Sequence, residues 1–308
     1  MDLFGVRGAS PMLIARQTQA FDDSEWIYEL KLDGIRCLAY FDKNTADFRN
    51  KRNLQINAKF PELGELNQNV SGKCILDGEI VILNKGVPDF YRLQKRTLLS
   101  DPFKIQLESI RHPASFVAFD CIYKGAEDLT EKPLLARKDI LAGILQETSR
   151  MAVSRYIETN GTALYRAAEQ QELEGIVAKR KNSIYTMGKR SRDWLKCKRM
   201  ADEEFIIAGY IQKGQHFFSV ILAKYKQGLL VYKGHVTAGV TKEIISQLEE
   251  TRENPFCLLP PGNEEAVWVK PNRVCVVEYM PNTKQKLRQP VFKGIRTDVS
   301  PEEVIISG

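Results

Sequence analysis

The chain has 308 residues, 43% of them hydrophobic and 27% charged, which is enough to bury a sizeable core and to divide into two domains. A formal net charge of +6 suits a phosphate-rich partner without requiring one. Six cysteines without a C-x-x-C pair, and three histidines placed near none of them, argue against a zinc site and a disulfide framework.

The opening "MDLFGVRGAS" lacks the apolar run of a signal peptide, and no apolar stretch is long enough to span a membrane, so a cytoplasmic protein is expected. The first two thirds of the chain alternate strand-like and helical segments. "WIYELKL", "IRCLAYF", "CILDGEIVIL" and "SFVAFDCIY" read as strands. "LARKDILAGILQETSR" reads as a helix with Ile140, Leu141, Ile144 and Leu145 on one face, and "ALYRAAEQQEL" as a helix just before Glu174. "EGIVAKR" returns to strand. From about Met200 come short strands with turn signals, "EEFIIAGYIQKG", "FFSVILAKYKQG" and "LLVYKGHV", then a helix "TKEIISQLEETREN" and a strand "RVCVVEYM". About five strands and one helix in such a tail fit a small barrel of the OB type. The expected architecture is therefore α+β. A domain of antiparallel sheets and helices covers residues 1–200, an OB-fold barrel covers 201–308, and a hinge lies within Met200–Glu203.

Chemistry enters at "YELKLDGIRCLAY", where Lys31 ends an apolar run and Asp33, Gly34 and Arg36 follow. Asp-Gly between two apolar runs signals a β-hairpin, so the plain reading is a charged turn. The company it keeps argues for more. "LDGEIV" (76–81), "FVAFDCIY" (116–123), "EGIVAKR" (174–180) and "WLKCK" (194–198) follow in that order. Each string alone is weak, and the ordered set is specific.

This set resembles the covalent nucleotidyltransferases: ATP-dependent DNA ligases, RNA ligases and mRNA capping enzymes. It looks most like the ligase module of bacterial ligase D and the small stand-alone bacterial ligases, over a span from "SPMLIA" to "LRQPVFKGIRTD". The resemblance implies a nucleotidyltransferase (adenylation) domain followed by an OB domain. It implies a DNA ligase that uses ATP and Mg²⁺ or Mn²⁺ to seal nicks. Lys31 would attack the α-phosphate to give lysyl-AMP, which requires a neutral amine. Lys196 and Lys198 match the W-x-K-x-K motif; alternating on a strand, both reach one phosphate while Cys197 points away. Glu174 matches the acid that helps hold the metal, and Glu79 the acid that supports nucleotide and metal. Two carboxylates are what Mg²⁺ needs beside phosphates and water. Asp33 belongs to the network around the nucleophile. Phe119 stands where an aromatic stacks on adenine, Glu29 where adenine is recognised and Arg36 where ribose is contacted.

Binding of the nick's 5′-phosphate falls by the same resemblance to Arg52, although Lys51 replaces the usual serine before it. The basic runs "RNKRN" and "GKRSRDWLKCKR" would add phosphate contacts along duplex DNA. Arg288, Arg296 and Asp298 match the OB-domain signature that orients the departing pyrophosphate. Val299 stands where relatives carry lysine, which puts the adenylation step in question. The implied partners are nicked double-stranded DNA and a repair protein such as Ku, with the chain acting as a monomer. An RNA ligase or capping-type enzyme, and a non-catalytic nucleic-acid-binding protein on the same fold, remain as alternatives.

Overall fold

The computed structural model describes residues 2–215, 217–281 and 287–306, and the chain folds as two compact units, Met1–Lys198 and Arg199–Gly308. In chain order the first unit carries helix α1 (Leu3–Val6) and strands β1 (Leu13–Gln17), β2 (Asp23–Leu30), β3 (Ile35–Phe41), β4 (Ala46–Asn50), β5 (Cys74–Asn84) and β6 (Val87–Pro88). Helices α2 (Phe90–Leu98) and α3 (Pro102–Arg111) follow, then β7 (Ala114–Lys124), β8 (Glu127–Asp128), α4 (Leu134–Ile144), β9 (Met151–Val153), β10 (Tyr156–Thr159), α5 (Gly161–Gln170), β11 (Gly175–Arg180) and β12 (Arg190–Lys198).

These strands form two sheets. One has the order β1-β12-β11-β2-β10; the other runs β4-β3-β5-β7-β8, with β6 on β5 and β9 on β7. Strand periodicity assigns each residue to a face. In the first sheet Trp26, Tyr28, Ile176, Ala178, Leu195 and Cys197 pack together beneath α5. The opposite face puts Ile27 and Trp194 into one cluster with Leu38, Tyr40, Ile75 and Ile122 of the second sheet. The second sheet turns Cys37, Ala39, Phe41, Leu76, Ile80 and Phe116 the other way, against Leu141 and Ile144 of α4. Two sheets thus share one apolar layer, with helices outside.

Asp33-Gly34 does not close a hairpin. Strands β2 and β3 belong to different sheets, and Lys31–Gly34 is the crossover between them. The hairpin signal fails because β2 satisfies its edges with β10 and β11, while β3 pairs with β4 and β5. Helix α4 is also shorter than its periodicity implies. Gln146 donates its backbone N–H to Asn69 O (2.8 Å), so tertiary pairing stops the helix at Ile144.

The second unit contains β13 (Ala201–Gln212), β14 (Phe218–Lys226), β15 (Leu229–Val236), α6 (Lys242–Ile245), β16 (Val267–Trp268), β17 (Val274–Met280) and β18 (Arg288–Arg296). The sheet runs β15-β14-β13-β17-β18, with β16 on β13, and it curls until Ala238 bridges Val291 of β18. Phe205, Val220, Leu222, Val236, Val277 and Phe292 fill its interior. The long helix expected over "TKEIISQLEETREN" is one turn, because Glu250 is drawn into a bridge with Val269. Of the segment expected as a hinge, Ala201, Asp202 and Glu203 pair with Tyr279, Glu278 and Val277, which leaves Arg199 and Met200 between strands.

A buried ion pair ties α4 to β7 in the first unit. Arg137 and Asp120 are both fully buried, joined by Nε–Oδ1 and Nη2–Oδ2 bonds of 2.8 Å each, and Arg137 also donates to Ser183 O at 2.9 Å. Replacing the arginine alone strands a buried carboxylate. Arg137→Met should therefore lower unfolding free energy by about 3–5 kcal/mol, read from urea denaturation.

Candidate active site

The crossover is held at both ends. Lys31 donates its backbone N–H to Gly175 O (2.9 Å), which fixes it to the start of β11. Gly34 lies so close to β5 that a Cβ there would sit 2.3 Å from Ile80 O and 2.7 Å from Glu79 Cγ. Gly175 has φ +132°, and a Cβ on it would fall 2.1 Å from Cys197 O. Both glycines are therefore required by close approach, and they place Lys31, Glu79, Glu174 and Lys198 around one point.

Glu174 precedes β11 and is buried, with its carboxylate shared between two lysines. Lys31 Nζ lies 2.8 Å from Oε2, and Lys198 Nζ lies 3.2 Å from Oε1. Burial lowers the Lys198 pKa, Glu174 opposes that shift, and the nearby charges of Lys31 and Lys196 add to it. Lys196 shares the face of Lys198, since Lys196 pairs with Val177 and Lys198 with Gly175, while Cys197 is buried on the other side. Glu79 faces the same region from β5. Desolvation pushes its carboxyl up to about 8, against the pull of Lys31 and Arg36, and among the described residues it forms no ion pair.

Beside this point is a cavity of about 200 Å³, lined by Ile14, Glu29, Lys31, Arg36, Glu79, Phe119, Val177, Lys179 and Trp194 among others. Phe119 forms part of the wall and packs edge-on against Trp194, with ring centroids 6.1 Å apart. Glu29 is another lining residue, buried between Lys138 Nζ (2.5 Å) and Lys179 Nζ (3.1 Å), and it accepts a hydrogen bond from Ser154 Oγ (2.9 Å). Burial would raise its pKa, but the two ammonium groups outweigh that and hold it below the usual range. Burial lowers Lys179 to about 8; its ammonium rests 4.2 Å from the centroids of both Phe119 and Trp194. Arg36 is forked onto the buried Asp77, with Nε–Oδ1 at 3.0 Å and Nη2–Oδ2 at 2.6 Å.

Of the residues named from sequence, Glu29, Lys31, Arg36, Glu79 and Phe119 line this cavity, and Glu174, Lys196 and Lys198 stand beside Lys31. Asp33 lies in the crossover itself. Arg52 is in an exposed turn after β4, held by its backbone N–H to Asn50 Oδ1 (2.9 Å), and is not among the cavity's lining. Arg288, Arg296 and Asp298 belong to the second unit. There Arg296 and Asp298 form a forked pair at 2.7 Å, Arg296 reaches Glu204 at 2.9 Å, and Arg288 pairs with Met280 at the start of β18. Val299 packs with the cluster around Phe256 and Val304, a place where a lysine ammonium would meet apolar surface.

Sequence reasoning did not single out Lys179, Lys138, Asp77 or Tyr185. Lys179 and Asp77 lie inside the quoted strings, and a lone charge in an apolar strand was the available signal. Lys138 and Tyr185 carried none, because a helix and a loop bring them in. No cluster of three or more metal-ligating side chains occurs among the described residues.

A lysine in a crossover between two sheets, lining a cavity and joined through a carboxylate to a further lysine, defines a nucleotidyltransferase-type domain, here followed by a curled β-domain. Comparison with known proteins narrows this class. Residues 10–198 match the family model described as ATP dependent DNA ligase domain, and residues 213–299 match ATP dependent DNA ligase C terminal region. The chain is 31% identical over 289 residues to the SPbeta prophage-derived DNA ligase-like protein LigB of Bacillus subtilis, covering 93% of this chain and 98% of that one. It is 30% identical to the multifunctional non-homologous end joining protein LigD of Pseudomonas aeruginosa, covering 91% of this chain but 34% of LigD. A solved structure of mycobacterial DNA ligase D complexed with ATP and MES matches with a TM-score of 0.58 and 27% identity, over 98% of this chain and 99% of that one. The chain belongs to the ATP-dependent DNA ligase family.

Two measurements test the site's physics. Gly34→Ala should push Glu79 and the crossover apart, and we expect at least about a tenfold loss of covalent labelling by ATP with an unchanged circular dichroism spectrum. Glu79 ionises near 4.5 when unfolded and near 8 when folded, so its ionisation destabilises the fold as pH rises through that window. The melting temperature of Glu79→Gln relative to wild type should therefore climb between pH 4.5 and 8 and level off above.

Proposed function

We propose that this protein is an ATP-dependent DNA ligase that seals 3′-OH/5′-phosphate nicks in duplex DNA through lysyl-AMP at Lys31. The observation that carries this reading is the placement of Lys31 in the lining of a cavity, with its charge tied to a carboxylate it shares with Lys198. The base would enter between Phe119 and the apolar wall, with Glu29 at its edge and Arg36 on the ribose. Lys196 and Lys198 would take the α-phosphate, drawing Lys198 away from Glu174. Lys31 must release its ammonium proton before its nitrogen attacks phosphorus and pyrophosphate leaves. AMP then passes to the 5′-phosphate of the nick, and the 3′-OH displaces AMP as the phosphodiester forms.

Glu79 and Glu174 fit a divalent cation. Glu79 is a desolvated carboxyl without an ion pair among the described residues, and Mg²⁺ needs few protein carboxylates when phosphates and water complete its shell. Mg²⁺ or Mn²⁺ held there would supply charge neutralisation at the phosphates. Arg52 is assigned to the 5′-phosphate, Asp33 to support of the nucleophile, and Arg288, Arg296 and Asp298 to the departing pyrophosphate. The name of the LigD relatives supports a setting in end joining; Ku or another repair protein is the partner proposed with it. The chain would act there as a cytoplasmic monomer; no helix among the described residues is long and apolar enough to cross a membrane. A pull-down without Ku would remove that partner.

Incubation with α-phosphate-labelled ATP and Mg²⁺ should label wild type covalently and leave Lys31→Ala unlabelled, with GTP and NAD giving no label. Absence of label from ATP would sink the proposal; label from GTP would turn it towards a capping-type enzyme. Since metal needs the ionised carboxylate, the Mg²⁺ concentration giving half-maximal labelling should fall as pH rises from 6.5 towards about 8, and Glu79→Gln should flatten this dependence.

A further inference from the structure

Arg36 reaches the cavity through a chain of buried polar groups that starts far from it in sequence. Its guanidinium spends two of its five donors on Asp77, and Arg36 lines the cavity. Asp77 is fully buried on β5, and a carboxylate there needs its remaining lone pairs satisfied. Tyr185 supplies that partner: its hydroxyl donates to Asp77 Oδ2 at 2.6 Å. The Tyr185 hydroxyl oxygen accepts the backbone N–H of Met12 at 3.1 Å, just before β1. Tyr185 is fixed in turn by its own N–H to Thr130 O (2.7 Å) and by edge-on packing with Trp194, whose ring lies 5.5 Å from the Arg36 guanidinium. Burial, and then the charge of Asp77, raise the phenol's pKa well above its ordinary value, so the hydroxyl keeps its proton.

We propose that Tyr185 is a positioning residue for nucleotide binding: by anchoring Asp77 to the segment at Met12, it sets where Arg36 presents its donors to the nucleotide's ribose. This rests on the reading of the cavity as the ATP site. Removal of the hydroxyl frees one side of Asp77, and Arg36, forked onto that carboxylate and resting against the Phe119 and Trp194 rings, shifts with it. The consequence falls on sugar recognition and leaves the phosphate and lysine chemistry in place.

The test uses the full chain with Tyr185→Phe, and measures binding of ATP, 2′-deoxy-ATP and 3′-deoxy-ATP by calorimetry beside the labelling rate at saturating ATP. We expect ATP binding to weaken about tenfold, the loss of one hydrogen bond acting through charged groups, with the saturated rate within about threefold. The preference for ATP over at least one of the deoxy nucleotides should collapse towards one. In an Arg36→Lys background the same change should add less than about twofold. Equal loss for all three nucleotides, a fall in the saturated rate alone, or an undiminished effect beside Arg36→Lys would overturn the proposal and leave Tyr185 a structural residue. Should Tyr185→Phe fail to fold by its thermal melt, Asp77→Asn must give the same loss of sugar discrimination. With divalent cation withheld from the calorimetry, binding is read without turnover, so a wild type that binds ATP with sugar discrimination but takes no label would refute the ligase reading and spare this one.

Discussion

The first unit depends on one passage of chain, the four residues by which β2 leaves one sheet and β3 enters the other. A chain that changes sheets must place backbone between two packed layers, where unpaired polar groups are costly. Here Lys31 meets that demand through Gly175 O, and Gly34 meets the steric one by offering no Cβ to β5. The crossover is therefore fixed at both ends, and the side chain of Lys31 extends from it beside the cavity. It finds Glu174, which the turn at Gly175 directs back towards it.

Charge in the site is arranged around two buried carboxylates, each held by two lysines. Glu174 joins Lys31 to Lys198, and Glu29 joins Lys138 to Lys179. Lysines in excess of carboxylates leave the region electropositive, as a triphosphate requires, while the carboxylates keep the cations from repelling one another apart. Glu79 departs from this pattern, and its raised pKa follows from desolvation without a partner. A carboxyl kept in that condition stores free energy that a cation can release.

Much of the chemistry was legible because strands write their faces into sequence with a period of two. Trp194, Lys196 and Lys198 had to share a side whatever sheet contained them, and the register with β11 and β2 brings Lys179, Val177 and Glu29 to that side as well. The pairing of Asp33-Gly34 with a hairpin was misleading for the same local reason. The Asp-Gly pair marks a break between two strands, but local sequence has no term for which strand becomes the neighbour. Helix ends were over-extended at Leu145 and after Ile245, where pairing with distant strands outcompeted the next helical turn.

By itself, then, the sequence singled out Lys31 and the acids and lysines that the fold gathers around it, and the change in texture near Met200, since each is carried by residue identity at short spacing. Tertiary structure alone decided that Lys31 lies between two sheets, that Glu29 is locked by Lys138 and Lys179, and that Tyr185 and Asp77 stand behind Arg36. The reason is distance along the chain. Glu29 and Lys179 are 150 residues apart and Tyr185 and Asp77 are 108 apart, and no local rule of propensity or spacing constrains pairs that meet only when the sheets pack.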